Sequence, residues 1–226
     1  MGVRLHIWGE RACFTRPEFK SERVSYDVIT PSAARGILEA IHWKPAIRWH
    51  IDRIHVLKPI QFGTIRRNEV GAKANARNAA TAMKAGRTDG LGLSVEENRQ
   101  QRAATILLDV AYVIEAHFTM TEKAGPGETA AKHISIFNRR AEAGQCFHRP
   151  CLGTREFAAD FALLPDGAPL PTSTFLAQED AAENIDLGWM LHDIDFAHGN
   201  VSRFFRAHIR NGVIEVPPAD SPELAA

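Results

Sequence analysis

The chain has 226 residues, 45% of them hydrophobic, and a formal net charge of zero. That apolar content supports a buried core and excludes global disorder, and there is no run of about 18 apolar residues of the kind that crosses a bilayer. The neutral total hides an asymmetry: residues 1–157 carry 24 Lys and Arg against 16 Asp and Glu, whereas residues 158–226 carry 3 against 11.

A basic part facing a polyanion, joined to an acidic part with another task, is the expectation from that split. Met1 to Glu10 alternates and carries Arg4, His6 and Glu10, unlike a secretory signal, so a cytoplasmic location is expected. Cys13, Cys146 and Cys151 form no Cys-x-x-Cys pair, which argues against a disulfide framework and a structural zinc site.

Val3 to Trp8 alternates as a strand. Thr30-Pro31 opens a helix, with a capping hydroxyl and a proline at the first helical position. Ile37, Leu38 and Ile41 form its apolar face, and Pro45 ends it. Ala46 to Leu57 reads as a strand whose pattern slips near Arg53-Ile54. Residues 63–104 are rich in Gly, Ala, Asn and Arg and read as a long basic excursion, partly mobile, with a short helix near Val95–Ala103.

Thr105 to Thr121 is the cleanest strand, with Ile106, Leu108, Val110, Tyr112, Ile114 and Ala116 on one face. After the turn cluster Ala124-Gly125-Pro126-Gly127, Thr129 to Ala143 reads as a helix with Ile134, Phe137 and Ala141 inward and Gly144 past its end. Arg155 to Leu164 is a further strand. The order strand, helix, strand, strand, helix, strand predicts an α+β chain with a ferredoxin-like (RRM-like) β-α-β-β-α-β domain over 1–165, a common RNA-binding platform. Beyond a proline-rich linker, 166–226 reads as a small antiparallel β-sheet appendage. Its final strands, Phe204 to Ile209 and Val213 to Val216, flank an Asn211-Gly212 hairpin turn; Gly188 to Phe196 supplies a partner strand, and a tail follows Pro217.

Lys132-His133 is the leading chemical candidate. Histidine can carry a proton near neutral pH, lysine can meet developing negative charge, and both fall in the first turn of a helix, where unpaired amides favour anions. A bland reading of the pair is a solvated lysine beside a half-buried histidine. His42, at the end of the first helix, is the second candidate. Its bland reading is a cation placed at a helix C-terminus. Lys44 and Arg35 could contact phosphate. Trp43 and Trp49 could stack on bases, although core packing is the commoner use. His192, Asp193, Asp195 and His198 are possible metal ligands, but on a strand they split between two faces and match no strong motif, so neither a metal nor a cofactor is expected.

Three further runs carry a resemblance: Thr30 to Pro45; Ile136-Phe137-Asn138-Arg139-Arg140-Ala141 with Gly144-Gln145-Cys146; and Leu152-Gly153-Thr154-Arg155-Glu156-Phe157. With Gly188 to Phe196 and the final hairpin, they closely resemble the CRISPR-associated endoribonuclease of type I-C systems, subtype d of Cas family five in the RAMP superfamily, from about residue 3 to residue 216. The resemblance implies metal-independent cleavage of precursor CRISPR RNA within repeats by 2′-OH attack, leaving a cyclic phosphate. The mature crRNA would stay bound in the type I-C surveillance (Cascade) complex, beside its backbone and large subunits, in antiviral defence.

The family's Lys-His pair maps onto Lys132-His133. Its third catalytic position, typically a tyrosine in an Ile-Tyr-Trp-Lys-Pro context, is His42 here. One histidine would deprotonate the 2′-OH, the other would protonate the departing 5′-oxygen, and Lys132 would stabilise the phosphorane. Arg139, Arg140, Arg149 and Arg155 would grip the RNA. Competing readings are a non-catalytic subunit holding the crRNA 5′ handle, contact with target duplex DNA through the basic excursion, and a metal-dependent nuclease.

Overall fold

Nine strands and three helices are formed in a computed structural model that describes the chain except residues 1, 20, 90, 178–183, 197, 198 and 226. The framework is β1 (Gly2–Ala12), α1 (Pro31–Ile41), β3 (Ile47–Val56), β5 (Arg99–Met120), α3 (Ala130–Glu142) and β6 (Asp160–Leu164). Its strands lie in the order β6-β1-β5-β3, all neighbours antiparallel. This is the ferredoxin-like arrangement, in which each helix carries the chain between strands that are not sheet neighbours.

The helices begin where their caps dictate. The Thr30 hydroxyl accepts from the Ala33 amide at 3.3 Å, and Thr129 accepts from the Lys132 amide at 3.2 Å. Ala34, Ile37, Leu38 and Ile41 bury one side of α1. On α3 the buried stripe is His133, Phe137 and Ala141, with Ile134 only partly covered. A histidine therefore occupies a core position at the i, i+4, i+8 spacing. The slipped pattern in the second framework strand is a β-bulge between Ile51 and Arg53.

The basic excursion differs from its expected form. β4 (Phe62–Val70) pairs along the first part of β5, from Phe62 opposite Leu107 to Val70 opposite Arg99, so the expected helix near 95–103 is instead strand from Arg99 onward. Ladder hydrogen bonds in this long hairpin override the weak local helix signal. The arm carries α2 (Ala76–Ala85), which buries no residue. Asp109, at φ 49°, sits in β5 between Tyr112, paired with β3, and Leu107, paired with β4. The short β2 (Arg23–Val24) runs parallel to β5 beside Ala104 and Thr105.

Two other expectations are corrected. The strand expected from Arg155 begins only at Asp160, because residues 152–157 close into a loop held by Leu152 N–H to Phe157 O at 2.7 Å and Phe157 N–H to Thr154 O at 3.0 Å. Gly153 (φ 88°) packs this loop on the end of β1, where a Cβ would lie 2.0 Å from the Cys13 carbonyl oxygen. At the C-terminus, Asn211 and Gly212 form the expected turn, both with positive φ. The strands it joins then part: β8 (Val201–Ile209) pairs with β7 (Ile185–Asp195) in a two-stranded sheet, while β9 (Val213–Glu215) adds to the edge of β3. Apolar side chains of β7, β8 and β9 belong to the same hydrophobic cluster as the framework. Among the described residues no helix is long and apolar enough to cross a membrane.

Candidate active site

The end of α1 and the start of α3 lie on the helix side of the sheet and meet over Trp49. That indole is 1% exposed, packs on Phe137 and Phe118, and donates to the His42 carbonyl at 2.9 Å. The contact fixes the backbone where α1 ends, and the His42 side chain turns inward. His42 and His133 are each 1% exposed, and Nε2 of His42 lies 3.0 Å from Nδ1 of His133.

Each ring also faces a charged side chain at its other nitrogen. Arg140 donates to the Ile41 carbonyl at 2.9 Å and points a guanidinium N–H at Nδ1 of His42 from 3.5 Å. Burial first, then the charges of Arg140, His133 and Lys44, pushes the His42 pKa down from 6.5 to about 4. The neutral ring therefore accepts at Nδ1 and donates from Nε2 to His133, which leaves a proton on Nε2 of His133. That atom lies 2.7 Å from Oε2 of Glu128. Both atoms are sealed from solvent, and the approach is too poorly aligned to count as a hydrogen bond. The other oxygen of Glu128 accepts from Lys132 Nζ at 3.2 Å. Lys132, with its side chain 48% exposed, is the member of the chain that reaches water most freely.

Lys132, His133 and His42 are thus brought together, joined by Arg140. Trp43 and Lys44 are exposed just past the end of α1, Arg139 is exposed in the last turn of α3, and Trp49 is core. Arg35 does not join the site: its guanidinium is committed to Glu39 at 2.6 Å and Asp193 at 2.8 Å, tying α1 to β7. Arg149 pairs with Asp160 at 3.0 Å, and Arg155 is exposed on the loop after Gly153. The suspected metal ligands that can be placed have other partners. His192 Nε2 is hydrogen-bonded to the Pro217 carbonyl at 2.8 Å, Asp193 pairs with Arg35, and His198 lies outside the described residues. Among the described residues no group of three or more His, Cys, Asp or Glu could hold a metal.

Two residues escaped the sequence reading. Glu128 stands four residues before Lys132, an acid–base spacing that brings side chains together and could have flagged it. Phe147 is 77% exposed on a segment whose Phe147 and His148 amides bond to the Ala40 carbonyl of α1 at 2.8 and 3.2 Å, so it stands beside the site.

A family model described as CRISPR-associated protein (Cas_Cas5), of the Cas5d subtype, matches residues 2–217. The chain belongs to the Cas5d family. Two relatives bear the name CRISPR pre-crRNA endoribonuclease Cas5d. The protein of Mannheimia succiniciproducens is 62% identical over 222 residues, covering 98% of this chain and 97% of the relative. That of Thermus thermophilus is 41% identical over 241 residues, covering 98% and 94%. Among solved structures, a CRISPR-associated protein superposes with a TM-score of 0.70 at 23% identity, covering all of this Cas5d-family chain and 97% of the other. A chain of a CRISPR RNA-guided surveillance complex superposes at 0.51 and 16% identity, covering 95% and 88%. At those identities the structures speak for the shared fold.

Proposed function

We propose that the protein is an endoribonuclease that cuts precursor CRISPR RNA within its repeats, without a metal, and stays bound to the mature crRNA in a type I-C surveillance complex. Support for the substrate comes from the 62% identity to a relative named for that activity. The observation that carries the chemistry is the buried contact of Arg140, His42 and His133, beside the more exposed Lys132 at the start of α3. In the reaction, the ribose 2′-oxygen attacks the adjacent phosphorus and loses its proton. The bond to the 5′-oxygen breaks, that oxygen gains a proton, and a 2′,3′-cyclic phosphate remains.

In-line displacement sets the entering and leaving oxygens on opposite sides of phosphorus. Two histidines hydrogen-bonded to each other do not straddle a phosphate, so an acid–base pair of His42 and His133 is replaced by a division of labour. His133 points its Nε2–H at the departing 5′-oxygen and stabilises the charge there while solvent completes its protonation, Lys132 stabilises the phosphorane, and His42 is a positioning residue that holds the His133 ring. The 2′-OH proton passes to solvent. Lys44, Arg139 and Arg155 supply phosphate contacts, with Arg149 joining once released from Asp160, while Arg140 and Arg35 act as internal braces. Residues 1–165 form the RNA-cutting unit, and 166–226 buttress α1 through Asp193.

The deciding experiment is cleavage of repeat RNA by the purified chain in EDTA, with analysis of the product ends. Cyclic phosphate, lost in Lys132→Ala and His133→Ala, is the expected result. Dependence on added metal, or undiminished cutting by His133→Ala, contradicts the reading. A second reading, contact with duplex DNA, is favoured by the arm, where Arg66, Lys73, Arg77, Lys84, Arg87 and Arg99 are all exposed. Salt-dependent duplex binding, weakened by charge removal there, tests it.

A further inference from the structure

We infer that the Glu128 carboxylate is an internal stand-in for the scissile phosphate, holding an anion seat between Lys132 Nζ and His133 Nε2 that RNA must take over before it can be cut. The inference rests on the assignment of Lys132 and His133 to the RNA phosphate. It adds a residue that decides which RNAs gain access.

The seat is defined by what surrounds it. His133 is 1% exposed and its Nδ1 is held by His42, so Nε2 is its remaining polar atom, and Glu128 lies across it at 2.7 Å. Glu128 spans the two groups with its two oxygens, as a phosphodiester would with its two non-bridging oxygens. The seat also lies at the first turn of α3, where free amides favour an anion.

The seat is filled but not satisfied. His133 Nε2 and Glu128 Oε2 are both buried, and neither has an aligned hydrogen-bond partner among the described residues. Buried polar atoms left this way are costly, so a better-aligned anion gains by replacing the carboxylate. The hydrogen bond from Lys132 keeps the Glu128 pKa below the ordinary carboxylate range, so the competitor is charged at neutral pH.

The turn before α3 allows the exchange. Glu128 precedes the capping residue Thr129, so moving it breaks no helical hydrogen bond. Gly125 and Gly127 flank Pro126 in open space, and Gly127 sits at φ 84°, a conformation that suits glycine. RNA anchored elsewhere by the rest of its repeat brings its phosphate to the seat at high effective concentration, whereas an unanchored strand meets a charged competitor. Glu128 therefore acts as a specificity filter.

The test uses the full chain, a repeat RNA with 2′-deoxyribose at the mapped cut, and Glu128→Gln, which keeps the shape and removes the charge. Expected are roughly 5- to 10-fold tighter binding of the blocked RNA, the scale of one net hydrogen bond, a single-turnover rate at saturation close to wild type, and faster cutting of RNA that lacks the rest of the repeat. Glu128→Ala moves binding the same way, and thermal midpoints near wild type show that both variants are folded. Unchanged or weaker binding overturns the inference. So does a large fall in the saturating rate at unchanged affinity, which would make Glu128 an orienting partner of His133. If Lys132→Ala and His133→Ala still cut normally, the proposed mechanism fails, whatever the Glu128 variants do.

Discussion

Nε2 of His42 lies 3.0 Å from Nδ1 of His133, a contact between residues 91 apart in the chain and both 1% exposed. It makes the two histidines one unit, with His42 behind and His133 in front. His133→Ala and Lys132→Ala should each lower single-turnover cleavage by about 100- to 1,000-fold, the range for a lost donor to developing negative charge. His42→Leu should cost less, and His42→Gln, whose amide can still donate to His133, should recover part of the loss. Equal losses in both His42 variants would show that the ring itself takes part in proton transfer.

The buried His42 also sets a pH dependence. Its pKa falls from 6.5 to about 4 in the fold, so between those values the unfolded chain binds a proton that the folded chain refuses. The unfolded state then gains as pH falls, and the stabilising contribution, complete above pH 6.5, is lost on acidification through that window. His6, His50 and His192 are lowered as well, in each case mainly by burial, and act in the same direction. Thermal midpoints measured from pH 7 to pH 5 should fall, and the fall should be shallower in His42→Gln. An unchanged slope in that variant would remove His42 from the account.

Trp43 and Trp49 are separated by a few residues and by their environment: one is 52% exposed, the other 1%. Trp49→Ala should destabilise the fold by about 3–5 kcal/mol, as large aromatic truncations in cores do. Trp43→Ala and Phe147→Ala should leave the denaturation midpoint in place. Each should weaken repeat-RNA binding by about 1–3 kcal/mol if a base stacks there. Binding isotherms at fixed salt decide this.

Gly153→Ala should be among the most damaging single-methyl changes in the protein. Its φ of 88° disfavours any Cβ, and the added carbon would lie 2.0 Å from the Cys13 carbonyl oxygen, a backbone atom with little room to move. A loss of about 3 kcal/mol or more is expected in urea denaturation, above the usual cost of an unfavourable backbone conformation alone. A change under about 1 kcal/mol, the centre of the usual range for a substitution, would mean that the loop is free to lift from β1.

The chain by itself determined what depends on neighbours a few residues away. Thr30-Pro31 and Thr129 place two helix starts, alternation marks β1, β3 and most of β5, the slip at Arg53 marks a bulge, and Asn211-Gly212 marks a turn. These signals arise from backbone conformation and short-range hydrogen bonds, so they survive without tertiary context. The order of those elements then allows few ways to bury their apolar faces, and the ferredoxin-like topology follows.

Only the tertiary structure decided how the charges and rings are used. Arg35 and Arg139 are equally basic in sequence, yet Asp193, 158 residues beyond Arg35, occupies one of them. His133 could be solvated or buried from its spacing alone; packing against Phe118 and the His42 contact bury it. The strands after Asn211-Gly212 part because β3 offers a free edge to one and β7 to the other. Such choices depend on which partners the folded chain brings within about 3 Å, the range of a hydrogen bond, and no local pattern encodes that distance.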